Sequence, residues 1–163
     1  MSNAIDSLTE NFAKIAAFLV VVLSFLVVYD SANRYFLSGG SVALQELEWH
    51  LFSVMFLFGI SYALNDEAHV RVDFIYDTLS DRKKAMINII GTIFFLIPFA
   101  IFIAYGSYDF VYDAYELNEI SEDPGGLTHR WIIKFMIPLS LMVLVLSAIG
   151  YIFKNIKIMK EAK

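Results

Sequence analysis

Four stretches of the chain lack Asp, Glu, Lys and Arg altogether: residues 15–29, 49–65, 85–108 and 135–153. A helix that crosses a bilayer needs roughly 20 mostly apolar residues, because the hydrocarbon core is about 30 Å thick and each residue rises about 1.5 Å. The third and fourth runs meet that length unaided. The first two are shorter. They reach across with charged residues at their ends, Lys14 extending its ammonium to the interface and acids lying at the far side. A soluble amphipathic helix would carry a charged face, and residues 86–108 have none. The pattern predicts an all-α membrane protein with one four-helix transmembrane domain over residues 1–163. Its spans fall at about 12–34, 43–65, 83–108 and 130–154.

The segments between the spans have patterns of their own. Val72, Ile75, Tyr76 and Leu79 fall at i, i+3, i+4 and i+7, which predicts a short helix lying in the interface. Ser80 suits the N-cap of the third span. After that span, Tyr105, Tyr108, Tyr112 and Tyr115 recur with helical spacing, and Asp109, Asp113 and Glu116 follow one position round. The third helix is therefore expected to continue outward to about residue 120. Glu119, Glu122 and Asp123 extend the acidity, and Pro124-Gly125-Gly126 must break the helix. Pro98 and Pro138 each remove an i→i−4 bond, and kinks are expected there.

Charge orients the domain. Nine of the 12 Lys and Arg residues flank one side: Lys14, the loop between spans two and three, and the C-terminal tail. Arg34, Arg130 and Lys134 flank the other. The richer side is expected to be cytoplasmic, with both termini inside. Composition agrees with a membrane protein. The 163 residues are 58% hydrophobic and 18% charged, against about 45–50% and about 25% in soluble domains.

Several function classes drop out. With no Cys there is no disulfide, zinc–thiolate or iron–sulfur site, and a net charge of −5 argues against nucleic acid. The first span is followed by Asp30-Ser31-Ala32-Asn33-Arg34 rather than a small-residue cleavage site, so it is expected to be retained. His50, His69 and His129 all lie away from mid-membrane, unlike haem ligands in a membrane anchor. No HExxH, P-loop or GxSxG motif occurs. No ionisable residue falls at the midplane of a span, where an ion-coupled carrier would place one. No enzyme activity, cofactor or metal is expected, and function should lie in contacts.

Candidate contact residues cluster at the outer ends of the spans. Glu46 lies 19 residues before Asn65, about 28 Å along a helix, so it sits at the outer interface with Glu48, Trp49 and His50. A carboxylate there needs a partner, and Arg34 is the expected one. Arg130 and Lys134 stand at i, i+4 beside Trp131. Trp, Arg and Lys anchor helix ends among phospholipid headgroups; a subunit contact is the functional alternative. Tyr112, Asp113, Tyr115, Glu116 and Glu119 form either an interfacial tyrosine belt or a surface facing a protein partner. Ser140, Ser147 and Ala148 offer a seam for close helix packing.

Four segments carry a family resemblance: Arg34-Tyr35-Phe36; Leu44-Gln45-Glu46-Leu47-Glu48-Trp49-His50-Leu51-Phe52 with Gly59 and Ala63; His69-Val70-Arg71-Val72-Asp73 leading to Tyr76, Leu79 and Ser80; and the segment from Glu119 through Pro124-Gly125-Gly126-Leu127 to Ile137-Pro138-Leu139. In this order, over roughly residues 15–155, the chain resembles the small, DctQ-type membrane subunit of tripartite ATP-independent periplasmic (TRAP) transporters. It looks closest to the mannitol/chloroaromatic or 2-oxo acid branch. Gln45 departs from the pair of adjacent acids that opens the second span in many members.

The resemblance implies a multi-pass protein of the bacterial inner membrane. Its partners would be a large DctM-type membrane subunit and a periplasmic substrate-binding protein. The large subunit would move an organic acid with sodium, while this chain widens its static scaffold and helps dock the binding protein. Arg34, Glu46, Arg130 and Lys134 would organise the outer layer, and His69, Arg71 and Asp73 the inner loop. Two alternatives stand beside it: the membrane anchor of a redox complex, which would bind haem or quinone, and an autonomous homodimeric transporter.

Overall fold

Backbone in hydrocarbon must satisfy its own N–H and C=O groups, and a helix does so within one segment. The computed structural model, which describes residues 2–37, 39–66 and 76–161, meets that demand with four helices long and apolar enough to cross a membrane. Helix α1 is Ser2–Leu37 and α2 is Val42–Asn65. Helix α3 is Asp81–Glu116 and α4 is Trp131–Glu161. No strand occurs among the described residues. The α1–α2 and α3–α4 connections share one end of the bundle, the connection end, and the chain termini share the other, the terminal end.

His69, Arg71 and Asp73 lie outside the described residues, as does the first half of the short helix expected across 72–79. Ser80 takes the N-cap position of α3 with extended backbone. Its hydroxyl makes no capping bond; instead its carbonyl accepts from the N–H groups of Lys83 and Lys84. The third helix stops at Glu116 rather than near 120. The break precedes the Pro-Gly-Gly segment because Asn118 already takes a left-handed conformation, with φ 46°. Glu119 N–H then donates to the Ala114 carbonyl and Asn118 N–H to that of Tyr115, the double closure that ends a helix at a left-handed residue. At about 1.5 Å per residue, the 36 residues of α3 span roughly 54 Å, well beyond a hydrocarbon core of about 30 Å.

Helix α4 is the hub of the bundle and packs on each of the other three. A third of its apolar stretch (33%) is buried, against 6% for α1. Small side chains let the helices close. Helix α3 buries Ala85, Thr92, Ala100, Ser107 and Ala114, at steps of seven, eight, seven and seven. A seven-residue step keeps one stripe facing a neighbour. The step of eight crosses Thr92–Leu96, which is a π turn: Ile97 N–H donates to the Thr92 carbonyl, five residues back. Pro98 supplies the reason. In a regular helix its ring would collide with the Phe94 carbonyl, and it has no N–H to offer. The wide turn accommodates both and absorbs one residue, so the stripe continues in phase. Helix α4 runs through Pro138 as one helix.

Leu64, Ala100, Leu144, Ala148 and Tyr151 form the core where α2, α3 and α4 meet. Ser140, Ser147 and Ala148 are buried in the bundle rather than turned to lipid. Across α1 and α4, the Thr9 and Ser147 hydroxyls lie 2.8 Å apart. Phe12 stacks on Phe58 at 4.7 Å between ring centres, closing α1 on α2. At the terminal end, Tyr76 Oη donates to Asn88 Oδ1 at 3.1 Å. Asn88 Nδ2 donates to Asn155 Oδ1 and Asn155 Nδ2 to the Tyr151 carbonyl, each at 2.9 Å.

Ala148 is fully enclosed, so Ala148→Leu overfills the seam and should lower stability by about 1–3 kcal/mol. Phe102→Leu, at a side chain 76% exposed, should change little. Thermal unfolding of the two variants in the same detergent checks this.

Candidate functional site

The connection end is built around one carboxylate. Ser41 caps α2, its Oγ accepting from Leu44 N–H at 3.4 Å. From that start the second turn aims Glu46 across the bundle at the α3–α4 connection. Its side chain is only 7% exposed. A buried carboxylate must find donors, and both come from that connection. Ser121 Oγ donates to Oε1 and Leu127 N–H donates to Oε2, each at 2.5 Å. The Arg130 guanidinium and the His50 ring are its neighbours. The His50 Nδ1–H donates to the Glu46 carbonyl, which can only accept, so the ring proton sits on that nitrogen.

Ser121 and Leu127 are themselves paired, Ser121 N–H donating to the Leu127 carbonyl at 3.0 Å. The carboxylate therefore clamps the neck of a small loop. Its tip is Asp123-Pro124-Gly125-Gly126, closed by Gly126 N–H on the Asp123 carbonyl at 3.0 Å. Proline in the second place and a glycine with φ 84° in the third are the needs of a type II turn. Gly126 serves a different purpose. A Cβ on it would lie 2.4 Å from the Ser121 side chain and 2.7 Å from Glu46 Oε2. A second closure lies outside the first: Arg130 N–H donates to the Glu119 carbonyl at 3.1 Å.

Aromatic rings and cations fill the space between this loop and the helices. Lys134 pairs with Glu119, and its ammonium sits 3.9 Å from the centre of the Phe110 ring. The Arg130 guanidinium lies over Trp49 at 5.7 Å. Trp131 meets Tyr115 edge-on at 5.5 Å. Below them, a groove of about 390 Å³ opens between α2, α3 and α4, walled by Phe52, Phe56, Phe110 and Ile137, with Trp49, Arg130 and Lys134 at its connection end.

The structure brings Glu46, Trp49, Arg130, Trp131 and Lys134 into this cluster. Arg34 stands apart, and the expected Arg34–Glu46 contact does not form. Arg34 Nη2 approaches Asp30 Oδ2 to 2.7 Å within α1, one helical turn away and so the nearer carboxylate. The pair is close but poorly aligned for a hydrogen bond. Glu48 keeps one buried oxygen without a hydrogen bond. On the last turns of α3, at the connection end, Tyr112, Asp113, Tyr115 and Glu116 are exposed, whereas Glu119 just beyond them pairs with Lys134. Among the described residues no three His, Asp or Glu side chains gather as a metal site.

Sequence reasoning missed four kinds of residue. Asp30 is fully buried, and its i, i+4 spacing to Arg34 was the available signal. Ser121 and Gly126 had none, because their roles exist only once Glu46 arrives from another helix. Asn88 and Asn155 were visible as lone amides at the ends of apolar runs, the usual place for polar bonds between membrane helices.

Four apolar helices knit together by buried polar contacts define a multi-pass α-helical membrane protein. The family described as "Tripartite ATP-independent periplasmic transporters, DctQ component" matches residues 23–157. The chain belongs to that family, a transporter component of the bacterial inner membrane rather than an enzyme. It is 37% identical over 89 residues to the protein of Haemophilus influenzae named "Putative TRAP transporter small permease protein". That match covers 55% of this chain and 53% of the relative, so it spans about half the length of each.

Gly126→Ala should force the loop off Glu46, because the added methyl has no free space. Overfilling of this kind costs about 1–3 kcal/mol, or about fivefold to a hundredfold in a local opening equilibrium. Limited proteolysis should therefore cut within residues 117–130 at least about fivefold faster. Gly106→Ala, where a Cβ meets nothing within 4 Å, should match the parent.

Proposed function

We propose that this chain is the small membrane subunit of a TRAP transporter and serves as a fixed frame for a large membrane subunit. On this reading the large subunit carries an organic acid across the membrane with sodium, and a periplasmic binding protein delivers it. The single four-helix domain sits with both termini in the cytoplasm and the connection end outside. One observation carries the reading. Polar side chains join one helix to another inside the bundle, Thr9 to Ser147 and Asn88 to Asn155, while a broad apolar exterior is left for neighbours. Phe18 and Phe25 on α1, and Phe94, Phe95 and Phe102 on α3, all point away from the bundle. A frame needs such an exterior and has no need of a polar path.

The outer part of α3 is the surface we assign to the binding protein. It projects beyond the hydrocarbon, and Tyr112, Asp113, Tyr115 and Glu116 are exposed on it. Tyrosines supply contact area and the acids steer an approaching partner.

Purification through a tag on the C-terminal tail, in mild detergent from the native host, tests the frame role. A larger, strongly apolar polypeptide in fixed stoichiometry is the expected companion. Recovery of a lone chain or a homodimer that transports in liposomes would overturn the proposal. For the docking surface, Asp113→Asn with Glu116→Gln should slow uptake at limiting binding protein by about threefold to tenfold, more at low salt than at high. Uptake unchanged at every salt concentration would remove that surface from the account.

A further inference from the structure

We propose that the groove between α2, α3 and α4 holds one membrane glycerophospholipid, with its phosphodiester on Arg130 and one acyl chain along Phe52, Phe56 and Ile137. The site is one-ended. Its walls are aromatic and aliphatic, and its two cations stand together at the connection end. That polarity matches a lipid, which is charged at one end and apolar along its length.

The two cations are not equivalent. Lys134 is already paired with Glu119. Arg130 is held in place over the Trp49 ring, yet among the described residues no acceptor takes a hydrogen bond from its guanidinium. Glu46 lies close by, but its two oxygens already accept from Ser121 and Leu127. A guanidinium offers five N–H donors in a planar fork that fits phosphate. Arg130 also immediately precedes α4, whose N-terminal dipole favours an anion at that point. The groove faces sideways into the apolar layer: Phe52, Phe56 and Phe110 are each exposed on it. Ser53, its one hydroxyl-bearing wall residue, spends that hydroxyl on the Trp49 carbonyl at 2.7 Å. Nothing polar interrupts the chain-binding part. The arrangement differs from general headgroup anchoring, because it predicts a single saturable site.

The chain has two tryptophans, so Trp131→Phe leaves Trp49, at the mouth of the groove, as the sole reporter. The full chain carrying that change is titrated in detergent with phosphatidylglycerol brominated on its acyl chains. Trp49 emission should fall and saturate at one lipid per chain, and inorganic phosphate at equal concentration should not compete. Arg130→Gln should weaken the titration about tenfold, as for loss of a charge-assisted hydrogen bond. Ser53→Leu, which fills the wall without touching Arg130, should abolish saturation and so stands apart from any folding defect of the first variant. Native mass measurement of the parent chain should show one retained glycerophospholipid. Quenching that rises in proportion to the lipid-to-detergent ratio without saturating would overturn the proposal. So would titrations of both variants that match the parent, or a parent chain that retains no lipid.

Discussion

A carboxylate at the margin of the hydrocarbon is tolerable only if its oxygens are occupied. Glu46 is such a group, and the architecture of the connection end follows from satisfying it. Two donors must come from elsewhere in the chain, so the α3–α4 connection has to fold back over the start of α2. To present a hydroxyl and an N–H side by side, that connection closes on itself between Ser121 and Leu127. To let the carboxylate reach both, the residue between them and the turn must have no side chain, which is Gly126. The ion pair of Glu119 with Lys134 and the stacking of Arg130 on Trp49 then flank a loop already fixed. A charge that would otherwise be a liability becomes the fastening between two helical hairpins.

Within the bundle a different economy operates. Lipid tails are as apolar as leucine, so burying large side chains gives little drive for helix association. Many enclosed positions are accordingly small or hydroxylated, Ala100, Ala148, Ser61, Ser140 and Ser147, beside the larger Phe58, Leu64, Leu144 and Tyr151. Most of the aromatic residues point outward instead. On α1 this leaves a narrow attached stripe at Thr9, Ala16 and Asp30, and a wide free face.

Much of the fold was legible from one property, the absence of charge over long runs, because hydrocarbon excludes charge irrespective of tertiary detail. Helix ends were less legible. Asn118 stopped α3 ahead of the proline and glycines, since an asparagine can adopt a left-handed backbone without announcing it. At the site, Glu46 was identifiable as a carboxylate in need of a partner, but the partner was misassigned to Arg34. The nearest opposite charge in sequence reasoning was a side chain; the actual donors are a hydroxyl and a backbone N–H some 75 and 81 residues away. Backbone donors have no signature in residue type. Asp30, one turn from Arg34, shows the converse: local spacing alone would have found that pair.

The wide turn at Thr92–Leu96 also bears on the length of α3. A regular helix lacking one residue here would keep the small residues in register without any π turn, but the ring of Pro98 would then press on the carbonyl four residues back and bend it. Pro138 sits in α4 with no such turn, so the surplus residue is one way to seat a proline and not a general demand. In α3 it makes the helix one residue richer than its height requires while the stripe from Ala85 to Ala114 stays on the bundle side.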